Sequence, residues 1–188
     1  MQHRIFVVPP APHLPLPDAR RHWEDRHGGI FTPTPGLRRY RQNRPLGEEW
    51  DRGAARFCSE TWYDDRDVER AAYDSAHYRD VVTPDEESFL DRDAAWSAVV
   101  LDGDGLRPGA GKRVLWFDAS PPRGLHWREV ALARPVPAPG TGTALHVADL
   151  DDDADVEAAL ALTRQADVVA LVCRGVQLDP VLPHEARS

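Results

Sequence analysis

Lysine is nearly missing from this chain: Lys112 stands alone among arginines and histidines, and the net charge is −8. No basic block offsets that acidity. Arg20-Arg21 and Arg38-Arg39 are short pairs diluted by acidic neighbours. Phosphate backbones require a clustered cationic footprint, so the composition argues against a nucleic-acid partner. Cysteine is scarce too. Cys58 and Cys173 both fall in strand-like apolar segments and read as buried free thiols rather than a disulfide, as in a cytoplasmic protein. No apolar run reaches the roughly 18 residues of a membrane span. The opening Met1–Pro10 lacks the apolar core and cleavage site of a secretory leader, so a cytoplasmic location is expected. The eight histidines show no HxH, HExxH or CxxC-like spacing, so no metal is expected. No GxGxxG or GxxxxGK[ST] follows a strand, and nothing demands any other cofactor. The acidic run Asp149–Asp155 reads as a solvated loop and helix start, since it lacks the glycine and glutamate spacing of a calcium loop. The bias to Ala, Arg, Asp, Gly and Pro points to a GC-rich bacterial genome.

Against these absences, hydrophobic residues at 41% and charged residues at 29% describe a globular protein with a sizeable core. Residues 3–8 read as a strand, followed by a proline-rich loop over 9–17. Asp18 is a plausible N-cap for a helix over 19–30, ended near Gly28-Gly29. Pro33 and Pro35 bar further helix. Residues 37–44 and 56–63 read as strands, 65–82 as a helix and 94–101 as a fourth strand. That β-α-β-β-α-β order is the ferredoxin-like split pattern.

Glycines and prolines over 102–112 read as a linker. The second half then looks like a reduced copy. Strands are expected at 113–117, from Gly124-Leu125 onward, at 144–149 and at 166–174, with a helix from Asp155 to about Gln165. The Gly-Leu pair and the Asp-Val-Glu triplet each recur 88 positions on. Nothing repeats the first helix. The expected fold is α+β. A ferredoxin-like lobe over 1–102 is joined by a linker at 103–112 to a degenerate lobe over 113–188. The two sheets pack into one intramolecular, pseudo-dimeric α/β barrel. The bland alternative is one lobe that homodimerises, with an unrelated extension.

Candidate chemistry concentrates near the start. Trp23 and His27 are four apart on one helical face, with His22 and Arg26 in the adjacent row. Either Trp23 packs and a histidine caps a polar edge, or His27 sits at a barrel mouth as a general acid or base. On the next strand Tyr40 and Gln42 face one way, while Arg41 and Asn43 face the other. A tyrosine between a cation and an amide can polarise a carbonyl, and a plain cross-strand aromatic is the commoner case. On the following strand Cys58, Glu60 and Trp62 share a face, opposite Phe57, Ser59, Thr61 and Tyr63. A buried Glu60 would have a raised pKa and could act as acid or base; at a sheet edge it would simply be wet.

Five pieces then occur in order: His22-Trp23-x-x-x-His27; Pro35-Gly36-Leu37-Arg38-Arg39-Tyr40-x-Gln42-Asn43; Glu60-x-Trp62-Tyr63-Asp64; Ser75 with Tyr78-Arg79; and Asp85-Glu86 before Phe89-Leu90-Asp91. Together they resemble the EthD domain, a branch of the dimeric α/β-barrel superfamily, over roughly residues 3–101. The resemblance implies a barrel of two sheets, with each cavity between a sheet and its covering helices. It also implies relatives that act without cofactors on aromatic polyketides and lactones: cyclases, dehydratases, decarboxylases, anthrone-type oxygenases and muconolactone methylisomerases. Carried over by position, His27 and Tyr40 are the working histidine and tyrosine, and Glu60 occupies the family's glutamate position. Gly28-Gly29-Ile30 departs from the bulky or proline pair usual there, which implies a wider pocket mouth.

The expected function is a small cofactor-independent enzyme of secondary or aromatic metabolism. It would bind an apolar, carbonyl-rich small molecule. His27, Tyr40 and Glu60 would do acid-base chemistry, and His22, Trp23, Gln42, Asn43 and Trp62 would bind substrate. The outcome would be cyclisation, dehydration or isomerisation. Alternatives are a cofactor-free anthrone-type oxygenase and a non-catalytic binding or accessory protein. The protein would be a monomeric pseudo-dimer or a homodimer. One consequence is directly measurable: thiol titration of the unreduced, denatured protein should find both cysteines free.

Overall fold

A computed structural model describes residues 1–46, 57–101, 111–117, 120–133, 144–165 and 169–180. Eight strands form one antiparallel sheet: β1 (Gln2–Val8), β2 (Arg39–Pro45), β3 (Phe57–Tyr63), β4 (Trp96–Val99), β5 (Lys112–Phe117), β6 (Arg128–Ala131), β7 (Ala144–Leu150) and β8 (Val169–Leu178). Their order across the sheet is β4-β1-β3-β2-β8-β5-β7-β6. In each half, the order is therefore that half's fourth, first, third and second strand. β2 and β8 pair antiparallel from Tyr40↔Leu178 to Pro45↔Cys173 and join the halves. The sheet is curled, and its two ends touch. Val100, just past β4, bridges Leu132, just past β6. The Leu101 and Ala133 amides donate to the Ala131 and Val99 carbonyls, each at 2.9 Å.

Strict alternation divides each strand between two faces. On the concave face Ile5, Val7, Cys58, Trp96 and Ala98 meet Leu115, Phe117, Val130, Val147, Leu171 and Cys173 in one core drawn from both halves. Both thiols are free and buried there. On the outer face the first half is covered by helices. α1 (Leu16–His22) runs through a π-helical turn, Trp23–His27, into α2 (Gly28–Phe31). α3 (Arg66–Tyr73) is N-capped by Asp65, whose carboxylate accepts from the Asp67 and Val68 amides at 2.9 Å. A second π-helical turn, Tyr78–Val82, leads into α4 (Thr83–Phe89). In the second half α5 (Asp153–Gln165) packs on Val114, Leu150 and Val172.

Several sequence expectations need correction. The first helix begins at Leu16 rather than at an Asp18 cap, because Pro17 fits the first turn, where an amide hydrogen would have no partner. It also continues through Gly28-Gly29. A Cβ at Gly28 would lie 2.3 Å from Leu178 Cδ1, so Gly28 admits a close-packed β8 side chain instead of widening a pocket mouth. The Pro35-Gly36 turn does require glycine, with φ +76 and Val68 Cγ1 2.6 Å from where a Cβ would stand. The expected helix over 65–82 breaks at Asp74-Ser75. The Ser75 hydroxyl donates to the Ala72 carbonyl at 2.6 Å and accepts from the Tyr78 amide at 3.2 Å, starting a new helix. Most of the expected linker lies outside the described residues, and Lys112 belongs to β5. Residues 120–127, where a second-half counterpart of α1 would fall, form turns.

Glu60 stands fully buried on the concave face within a charged cluster. Its Oε1 accepts from Arg113 Nη2 at 2.5 Å, Asn43 Nδ2 at 2.9 Å and Arg41 Nη1 at 3.4 Å, and its Oε2 faces His3 Nε2 at 3.0 Å. Arg113 Nη2 also donates to Asn43 Oδ1. His3 stacks on Trp62 at 4.2 Å, and Arg41 lies over the same indole at 5.3 Å. Burial pushes the Glu60 carboxyl up, but Arg113, His3 and Arg41 outweigh it and hold the group well below the usual carboxylate range. This reverses the raised pKa expected for a buried Glu60. A depressed folded-state pKa contributes stability that is present above the unfolded value of 4.5 and is lost as pH falls toward the folded value. Glu60→Gln should cost about 3–5 kcal/mol in urea unfolding at neutral pH, because two buried guanidinium groups would face a neutral amide. Its stability should also fall less than the wild type's as pH drops below 4.5.

Candidate functional site

A cavity of about 50 Å³ lies on the outer face between the first-half strands and their helices. Phe6, Val8, Phe57 and Leu90 give it apolar walls; Trp23, His27, Phe31, Tyr40, Ser59, Thr61, Tyr73, Tyr78 and Glu86 complete it. Aromatic rings close it from several sides. Phe31 stacks on Tyr40 at 4.6 Å, Trp23 meets Phe57 at 4.9 Å, and His27 lies 5.1 Å from Phe89.

The π-helical turn sets the histidine geometry. Residues five apart diverge by about 140° around an α-helix, but the wider turn brings positions i and i+5 to the same side. His22 and His27 accordingly share one carboxylate. Asp85 Oδ1 lies 2.6 Å from His22 Nε2, and Asp85 Oδ2 lies 2.8 Å from His27 Nδ1. Asp85 sits in α4, just after the π-helical turn Tyr78–Val82 that runs straight into it. Burial opposes its charge, but the bonds to His27 and His22 prevail and lower its pKa. A carboxylate on Nδ1 fixes the imidazole with its proton on Nδ1. Nε2 is then the basic nitrogen available to the cavity that His27 lines.

Glu86, next in sequence, lines the same cavity. Tyr78 OH donates to both its carboxylate oxygens at 3.1 and 3.2 Å, and Arg92 Nε stands 3.8 Å away. Burial raises the Glu86 carboxyl above its ordinary value despite His27 and Arg92 nearby. Burial also pushes the Tyr40 hydroxyl up to about 12, so it stays protonated and can donate; it lies 3.2 Å from Ser59 Oγ. Thr61 Oγ1 is buried at the cavity without a hydrogen-bond partner among the described residues.

The residues expected to share one site are thus divided by the sheet. His27, Tyr40 and Trp23 come together on the outer face. Glu60, Asn43 and Trp62 lie on the concave face and do not line the cavity, because their strand positions have the opposite parity. Glu60 is committed to Arg113, Arg41 and His3 and cannot meet His27. Gln42 points outward, but its amide donates to the Trp23 carbonyl at 2.6 Å, bracing the π turn. His22 holds Asp85 from outside the cavity lining. The carboxylates that do meet the histidines, Asp85 and Glu86, were visible in the sequence only as a motif piece before Phe89-Leu90-Asp91. Among the described residues no cluster of His, Cys, Asp and Glu is placed to hold a metal ion. No described helix is long and apolar enough to cross a membrane.

The Glu86 environment is open to direct measurement. Carboxyl carbon-13 NMR should place its midpoint above the ordinary glutamate value. Tyr78→Phe should move it higher still, because the tyrosine hydroxyl favours the ionised form.

Comparison with known proteins agrees with the motif reading. No curated protein matches the chain. Among solved structures, an ethyl tert-butyl ether D (EthD) family protein from Bacillus halodurans C-125 aligns with a TM-score of 0.42 and 18% identity. The alignment covers 54% of this chain and 99% of that one. The family model of the EthD domain matches residues 11–93, a span that contains His22, His27, Tyr40, Asp85 and Glu86. The chain carries an EthD domain over residues 11–93.

Proposed function

We propose that the outer-face cavity is the active site of a cofactor-independent proton-transfer enzyme acting on a small, apolar carbonyl compound. The observation that carries this reading is the Asp85–His27 hydrogen bond at the wall of an aromatic cavity that also holds Glu86. His27 Nε2 takes a proton from the carbon next to the carbonyl, and Asp85 stabilises the imidazolium that forms. Tyr40 hydrogen-bonds the enolate oxygen. The His27 imidazolium then returns the proton to a different carbon, giving an isomer, or delivers it to the departing β-hydroxyl, which leaves as water, giving a dehydration. Glu60 has no part in this scheme. Its role is to hold the core.

The cavity volume bears on the substrate. About 50 Å³ is well below the roughly 300–1,000 Å³ of pockets that enclose drug-sized ligands. That supports a compact isomerase or dehydratase substrate over a polycyclic polyketide or an anthrone. The repeated strand order supports a further proposal: two fused ferredoxin-like lobes, 1–102 and 113–188, forming one pseudo-dimeric barrel, with the site equipped only in the first.

β,γ-Unsaturated cyclic ketones and lactones test the mechanism, since proton migration gives a conjugated product followed by absorbance. His27→Ala should lower kcat/KM by about 10²-fold or more, and Asp85→Asn by about 10- to 100-fold. A folded His27→Ala variant with full turnover would sink the assignment.

A further inference from the structure

Beside the cavity runs a groove of about 370 Å³, lined by Arg4, Phe6, Arg66, Glu69, Arg70, Tyr73, Asp74 and Ser97. Phe6 and Tyr73 line the cavity as well, so two aromatic rings form the partition between the two spaces. Tyr73 packs edge-on to Tyr78 at 4.7 Å and tilted against Tyr63 at 6.2 Å.

The groove's charges are unequal. Three arginines face two carboxylates. Glu69 is already neutralised: Arg4 grips it with Nε at 2.7 Å and Nη2 at 3.1 Å, and Gln2 Nε2 adds a third bond at 3.0 Å. Asp74, at the C-cap of α3, has no ion-pair partner among the described residues. Against it stand Arg66 and Arg70. Among the described residues Arg70 pairs only with exposed Asp67 at 2.9 Å, a contact of little strength in water. Arg66 has no ion-pair partner among the described residues. Positions 66, 70 and 73 are spaced i, i+4 and i+7, so the two guanidinium groups lie in line with Tyr73 on one face of α3. Arg70 is about 4–5 Å along the helix axis from Tyr73.

We propose that the cavity's ligand carries a carboxylate on a short flexible tail, and that Arg66 and Arg70 bind this carboxylate in the groove. The carbonyl head occupies the cavity, the tail passes between Phe6 and Tyr73, and the anion rests on the α3 arginines. This rests on the proposed function above and extends it by naming a second recognition element. It also reconciles a cavity of about 50 Å³ with a specific ligand, because much of the binding surface lies outside the cavity. Arginine suits the task, since its planar fork of donors matches a carboxylate.

Calorimetric titration with 6-oxoheptanoate and its methyl ester tests the inference, since both share the ketone head and only one has the charge. At low salt the acid should bind wild-type protein about tenfold more tightly than the ester. In an Arg66→Gln/Arg70→Gln variant, which alters only exposed helix positions, that preference should shrink to about twofold or less. Ester affinity should not change. Equal binding of acid and ester by the wild type, or a preference that survives in the variant, overturns this inference and leaves the cavity reading standing. Binding of neither molecule overturns this inference and the cavity reading together.

Discussion

A single carboxylate buried where the two halves of the sheet meet governs the architecture. Glu60 sits in β3 of the first half, and its shortest contact, 2.5 Å, comes from Arg113 in β5 of the second. A charge in that position is intolerable unless every neighbour answers it. Arg41, Asn43, His3 and Arg113 do so from β2, β1 and β5. Because two of these are arginines, the cluster also keeps Glu60 ionised. The apolar core around it draws on strands of both halves, so neither half completes this interior alone.

The same commitment removes Glu60 from chemistry and leaves the outer face for function. There the physical device is a π-helical turn. It costs regular hydrogen bonding and gains a register in which His22 and His27, five residues apart, converge on Asp85. Gln42, donating to the Trp23 carbonyl, braces the turn against the sheet. A second π turn precedes α4, where Pro84 lacks the amide hydrogen that an α-helical bond would need. Irregular helix on both sides of the cavity thus sets the relation of His27, Asp85 and Glu86.

Much of this was legible in the chain. Period-two alternation put Tyr40 and Gln42 on one face of their strand and Arg41 and Asn43 on the other, and separated Glu60 from Ser59 and Thr61. The EthD motif marked His27 and Tyr40. The acid was the difficulty. Motif position favoured Glu60, and strand parity alone showed only that Cys58, Glu60 and Trp62 go together, not which side of the sheet the helices cover. Asp85 and Glu86 lay in a segment read as motif without a role, because their relation to His27 depends on how two helices cross the same sheet.

The amino-acid sequence by itself determined most strands, the Pro35-Gly36 turn and the sidedness of the first-half strands, since these follow from local sterics and periodicity. Only the tertiary structure decided which face became interior and which became cavity. It placed Arg113 of the second half on Glu60, and a deviation from α-helical pitch brought His22 and His27 to one carboxylate. Those outcomes depend on contacts between residues far apart in the chain, and no local pattern encodes them.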